Sequence, residues 1–115
     1  MQHAVTFYIK RGFDRKATEY FASGRRRTTS VKPMSNKSIL VTFDNGEAGF
    51  YDMVSMIRPG TVFAFLADEA AFERAYIDEN NDIAWDIDPA VDSTVVWSNK
   101  VDISADTCYL EGRAA

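Results

Sequence analysis

Histidine occurs once in this sequence, at position 3, and cysteine once, at position 108. One thiol excludes an intramolecular disulfide, and one imidazole leaves neither a histidine-based relay nor an ordinary zinc site. Long apolar runs are missing as well: nothing approaches the roughly 18 residues that a membrane span requires. The opening stretch from Met1 to Lys10 places its charges after its apolar residues, the reverse of a secretory signal, so the expected address is the cytoplasm. The glycines form no phosphate-binding loop or dinucleotide fingerprint, and there is no Gly-x-Ser-x-Gly elbow. No catalytic residues, cofactor or metal are expected, and the chain reads as a binding protein rather than an enzyme.

What is present suits one globular domain: 115 residues, 46% hydrophobic and 26% charged. A chain of this size buries about 65% of its unfolded surface, enough for a core without staples. The net charge of -4 is unevenly placed. Residues 1 to 43 carry nine Lys or Arg against Asp14 and Glu19, a balance of +7, whereas the remainder carries four basic and fifteen acidic residues, a balance of -11. Such a split serves a basic arm for phosphates, an acidic face for a basic partner, or two halves of one domain that complement each other.

Val5, Phe7 and Ile9 alternate with Thr6 and Tyr8, which predicts a strand, and the spacing of Phe13, Ala17, Tyr20 and Phe21 predicts a short helix between Asp14 and Gly24. A further strand is expected around Val31. Ile39 to Phe43 and Glu47 to Asp52, joined through Asn45-Gly46, predict a hairpin, because Asn-Gly accepts the positive φ of a tight turn. One helical turn is expected over Met53 to Ile57, stopped by Pro59 and Gly60. Asp68 is placed to cap a helix from Glu69 to about Tyr76, burying Ala71, Phe72 and Ala75. Ile83-Ala84-Trp85, Thr94-Val95-Val96-Trp97 and Val101-Asp102-Ile103 read as short strands, and Ser104 to Leu110 as a capped helix ended by Gly112. The class is α+β: a small antiparallel sheet with two or three short helices on one face. Residues 1–115 form a single domain, in which a basic strand and helix over 1–28 extend an α+β core over 29–110.

Four constellations could carry function. Asp78-Glu79-Asn80-Asn81-Asp82 begins like a calcium loop, but Ile83 stands where the bend requires glycine and Pro89 where a bidentate glutamate is needed, so an acidic turn is expected. Asp86-Ile87-Asp88 after a strand has the order of a phosphotransferase nucleophile and acid without the parallel scaffold that chemistry uses. Asp86, Asp88 and Asp92 are expected instead to form an exposed acidic patch that docks on a basic partner surface. Arg25, Arg26 and Arg27 could neutralise phosphates, the nucleic-acid alternative, with Tyr20 and Phe21 assigned to the core rather than to base stacking. Cys108, with no histidine beside it in sequence, is expected to be a buried structural thiol.

Ser30-Val31-Lys32-Pro33, the Val41-Thr42-Phe43-Asp44-Asn45-Gly46 hairpin, Val62 to Leu66 followed by Asp68 and Phe72, and Val96-Trp97-Ser98-Asn99-Lys100-Val101-Asp102-Ile103 before Ser104 to Tyr109 form a pattern over residues 29–110. This pattern resembles the family catalogued as domain of unknown function 2442. Lys100 stands where that family usually has glycine, and residues 1–28 fall outside the pattern. The resemblance implies a small α+β fold of bacterial and phage-like genomes with no established activity. Some members resemble the second gene of toxin–antitoxin pairs. It therefore implies a non-catalytic protein-binding module, antitoxin-like or a phage-type inhibitor, that neutralises a partner such as a nuclease. A strand edge near Val5 or Val96 would also permit a homodimer by strand pairing.

Overall fold

The computed structural model describes Glu19, Tyr20, Ala22 and residues 24–115. The predicted strand over Val5 to Ile9, and most of the helix after it, lie outside the described residues, although Glu19, Tyr20 and Ala22 are helical. Seven strands follow: β1 (Thr28–Pro33), β2 (Ser38–Phe43), β3 (Ala48–Asp52), β4 (Tyr76–Ile77), β5 (Ile83–Asp86), β6 (Lys100–Ile103) and β7 (Arg113–Ala114). Between them run α1 (Glu69–Phe72), α2 (Ala105–Glu111) and two 3-10 turns, Ala64–Ala67 and Trp97–Asn99.

The elements are those of an α+β chain, but the strands make two antiparallel sheets where one was expected: β1-β2-β3-β7 and β4-β5-β6. Alternation explains β2, in which Ile39, Val41 and Phe43 are buried while Leu40 and Thr42 between them are less so. β5 departs from it, because Ile83, Ala84 and Trp85 are all buried and the strand is covered on both faces. The core joins these residues to Met53, Leu66, Phe72, Ile103 and Cys108.

Three hairpins share one turn geometry. Phe43 N–H donates to Glu47 O and accepts Gly46 N–H at its carbonyl. Met34 does the same with Ser38 and Lys37, and Asp78 with Asp82 and Asn81. The residue before the closing pair takes positive φ each time: Gly46 at 85°, Lys37 at 62° and Asn81 at 62°. This is the three-residue loop with a left-handed bulge position, in which glycine is at ease and asparagine tolerated. The Asn45-Gly46 hairpin thus forms where expected, with positive φ at Gly46 alone of the pair.

The single turn expected over Met53 to Ile57 forms, Ile57 N–H donating to the Met53 carbonyl at 3.1 Å. Two other expectations change. α1 is capped by the Asp68 carboxylate, which accepts Ala71 N–H at 3.0 Å, but it ends at Phe72. The Phe72 carbonyl is taken by the Trp85 indole N–H at 3.0 Å, and Tyr76 passes into β4. Thr94 to Trp97 is not a strand: Val95 and Val96 donate to the Asp92 carbonyl, so this is a bend leading into the second 3-10 turn. Val96 accordingly offers no strand edge for a dimer, and Val5 lies outside the described residues.

α2 begins at Ser104, whose hydroxyl accepts Thr107 N–H at 3.1 Å, and ends at Gly112. A Cβ on Gly112 would stand 2.5 Å from the Cys108 carbonyl oxygen and 3.0 Å from that of Phe50. Glycine is needed there for close approach, and it lets the chain turn from α2 under β3 and pair as β7.

Candidate functional site

The most unusual surface lies between β5 and β6. Ile87 is 47% exposed, Val95 76%, Val96 45% and Trp97 81%, all on the segment that links these two strands. Several large apolar side chains left in solvent on one connecting segment make it a candidate contact surface.

Asn99 organises this segment. Asn99 is buried; its Nδ2 shares two N–H donors among the carbonyls of Asp88 (3.0 Å) and Val91 (3.2 Å) and Ser93 Oγ (3.0 Å), while Oδ1 accepts Asp88 N–H at 2.9 Å. The Asn99 carbonyl also accepts Ile87 N–H at 2.7 Å. Ser93 Oγ passes the network to Asp86 at 2.7 Å, and Tyr76 Oη donates to the same carboxylate oxygen at 2.6 Å. Burial, reinforced by that carboxylate, pushes the Tyr76 phenol up to about 12, so it remains a donor.

The three expected acidic residues therefore divide. Asp86 is half-buried and anchors the base of the loop, while Asp88 and Asp92 are exposed. Asp88 also accepts Ala90 N–H, and Asp92 accepts both Thr94 donors, which holds the Asp92 carboxyl below its ordinary range. Ser93 and Tyr76 carry no motif that marks them in the sequence, and Asn99, although it falls in the Val96 to Ile103 pattern, shows nothing there of its hydrogen-bonding role. Val95, Val96 and Trp97 look there like a strand, and nothing in a run of β-formers distinguishes an exposed tryptophan from a buried one.

Arg25, Arg26 and Arg27 sit elsewhere, along a groove of about 750 Å³ that Glu79, Asp82 and Asp106 also line. Arg25 Nε lies 3.4 Å from Asp106, and Arg26 Nη1 3.7 Å from Asp44. Arg27 has no ion pair among the described residues, though its carbonyl accepts Asp44 N–H. Tyr20 is buried, stacks on Tyr109 with centroids 5.0 Å apart, and donates to Asp106 at 2.5 Å. The basic segment faces acidic groups of its own chain, and Tyr20 belongs to the core.

Asp78 opens the acidic turn that links β4 to β5. Its Oδ1 accepts the N–H groups of Asn80 and Asp82, and its Oδ2 meets Lys100 Nζ at 2.8 Å. Asp78, Asp82 and Asp102 have carboxylate oxygens within 4.8 Å of one another. Of these three carboxylates, Asp78 is the one paired with the Lys100 ammonium, which also meets Glu79 at 3.3 Å. Burial, with Asp78, Asp102 and Asp106 nearby, raises the Asp82 carboxyl, partly offset by the Ala105 N–H that it accepts.

Cys108 is buried in the core, where desolvation pushes its thiol up to about 12. Iodoacetamide at neutral pH is expected to leave it unmodified in the folded protein and to alkylate it fully in denaturant, as read by intact mass. Ready alkylation of the native protein would show the thiol to be accessible.

No helix among the described residues is long and apolar enough to cross a membrane. No family model, curated protein or solved structure matches this chain.

Proposed function

We propose that the protein is a non-catalytic protein-binding module acting in the cytoplasm, with the segment between β5 and β6 as its docking loop. One observation carries this: the Asn99 side chain ties the loop backbone together at Asp88 and Val91 and meets Ser93, with the carboxylates of Asp88 and Asp92 exposed on the loop so braced. An ordered loop loses less conformational entropy on binding, and exposed carboxylates steer a basic partner toward it. The likeness to domain of unknown function 2442 favours an antitoxin-like or inhibitor role, in which the module occupies and silences its partner.

The nucleic-acid reading, resting on Arg25, Arg26 and Arg27, is the less favoured, because two of these guanidiniums are paired with Asp106 and Asp44. Pull-down from the native host, with and without nuclease, separates the two: a nuclease-resistant protein partner supports the module, and loss of the captured material after nuclease overturns it. The double variant Asp88→Lys, Asp92→Lys is expected to slow association with that partner about tenfold or more at low salt and to flatten its salt dependence. Asp86 is left intact because Tyr76 and Ser93 depend on it. An association rate that neither salt nor the double variant alters would contradict the proposal.

A further inference from the structure

The exposed apolar side chains beside Asp88 and Asp92 call for an occupant, and three classes are chemically possible: a lipid surface, a second copy of the chain, or a different protein. Charge discriminates among them. From residue 86 to residue 99 there are three aspartates and no lysine or arginine, and the next cation, Lys100, is closed off by Asp78 and Glu79. An anionic membrane would repel that loop, because peripheral helices and loops that bind such surfaces bring cations with their apolar groups. Two copies meeting through the same loop about a twofold axis would set Asp88 and Asp92 against their own kind. A foreign protein with cations at the rim of an apolar pocket meets neither objection.

The side chains fit that occupant in form as well. Trp97 and Val95 project furthest into solvent, and the backbone beneath them is pinned by Asn99 N–H to the Val96 carbonyl at 3.0 Å and by the two bonds to the Asp92 carbonyl. Tryptophan is the side chain most often found to dominate an interface, because it buries a large rigid area at little entropic cost when its backbone is already ordered. Resting on the protein-binding reading above, we infer that Trp97 is the anchor of the docking loop, and that it enters an apolar pocket rimmed by lysine or arginine on a partner protein.

The test is selection of a displayed random-peptide library on the immobilised full chain, followed by titration of the selected peptides in solution. The selected sequences are expected to combine apolar residues with lysine or arginine, and binding to weaken as salt rises. Their binding is expected to shift tryptophan emission to the blue, a signal that persists in Trp85→Phe and vanishes in Trp97→Phe. Trp97→Ala, whose side chain makes little of the fold, is expected to melt like the parent and to bind at least about thirtyfold more weakly. Selected peptides that are acidic or uncharged, no selection at all, or undiminished binding by Trp97→Ala would overturn the assignment. Partition of the chain onto phosphatidylcholine–phosphatidylglycerol vesicles, or a dimer in sedimentation that Trp97→Ala dissolves, would overturn it in favour of the lipid or the second copy. If the partner recovered from the host is held equally by Trp97→Ala, the anchor falls and the module stands; if the unaltered chain recovers no protein, the module falls.

Discussion

Replacing Lys100 by methionine is expected to destabilise the fold by about 3–5 kcal/mol, the usual consequence of stranding one member of a buried ion pair. The Asp78 side chain is fully buried, and the Lys100 ammonium stands 2.8 Å from it with 14% of its side chain exposed. Burial opposes ionisation of Asp78, but the ammonium and the N–H groups of Asp82 and Asn80 outweigh it and hold the carboxyl below its ordinary value. A carboxyl lowered in this way contributes stability above its unfolded value of about 3.9, and that contribution is lost as pH falls through the folded value. Lys100 is raised, chiefly by Asp78, so its share is present below about 10.4 and lost as pH rises through the folded value. Between those limits the pair is intact.

In Lys100→Met the ammonium that lowers Asp78 is gone while its burial stays, so the carboxyl rises above its value in the parent protein. The deficit is therefore expected to be greatest near neutral pH and to shrink as pH falls to about 4 and below, disappearing once Asp78 is protonated in the folded parent and variant alike. Asp78→Asn combined with Lys100→Met should recover part of the loss at neutral pH. Urea unfolding at two pH values checks all of this, and a deficit that did not change with pH would place the energy in packing rather than charge.

Trp85→Ala is expected to lose about 3–5 kcal/mol, comparable to the whole stability of a weak domain. Trp85 has no exposed surface, stacks on Phe72 at 6.0 Å, meets Phe63 edge-on at 6.5 Å, and donates its indole N–H to the Phe72 carbonyl. Trp85→Phe separates the contributions: it retains most of the ring area and removes the donor, so about 1–3 kcal/mol is expected from the abandoned carbonyl. Thermal melts of the two variants would order them. Equal losses would mean that ring volume contributes little and the hydrogen bond dominates.

The sequence makes some of this architecture legible and conceals the rest for physical reasons. The hairpin through Gly46 is legible because glycine occupies the left-handed position; the matching turn at Lys37 is not, because lysine takes the same φ only when the two strands impose it. The caps at Asp68 and Ser104 are local and readable. The end of α1 is not, since it is set by an indole thirteen residues away. Thr94 to Trp97 has the composition of a strand, and the Asp92 carboxylate and carbonyl, with the Asn99 N–H on the Val96 carbonyl, override that preference through hydrogen bonds that are invisible in a linear reading. The acidic residues of the candidate site could be picked out by charge alone. That Asp86 would turn inward while Asp88 and Asp92 face solvent depended on Tyr76 and Ser93, which composition does not mark.

The pairing of β7 with β3 has a consequence for how the protein is made. As the ribosome releases the nascent chain, the β2–β3 hairpin has both its partners early and can zip locally, but Gly49 and Phe50 must wait for Arg113 and Ala114. Through that interval the outer edge of β3 offers unpaired amides to any neighbouring polypeptide, a window for intermolecular strand addition. Slowing translation between the two segments should lengthen that window and enrich aggregates seeded at β3, whereas completed molecules have already closed it.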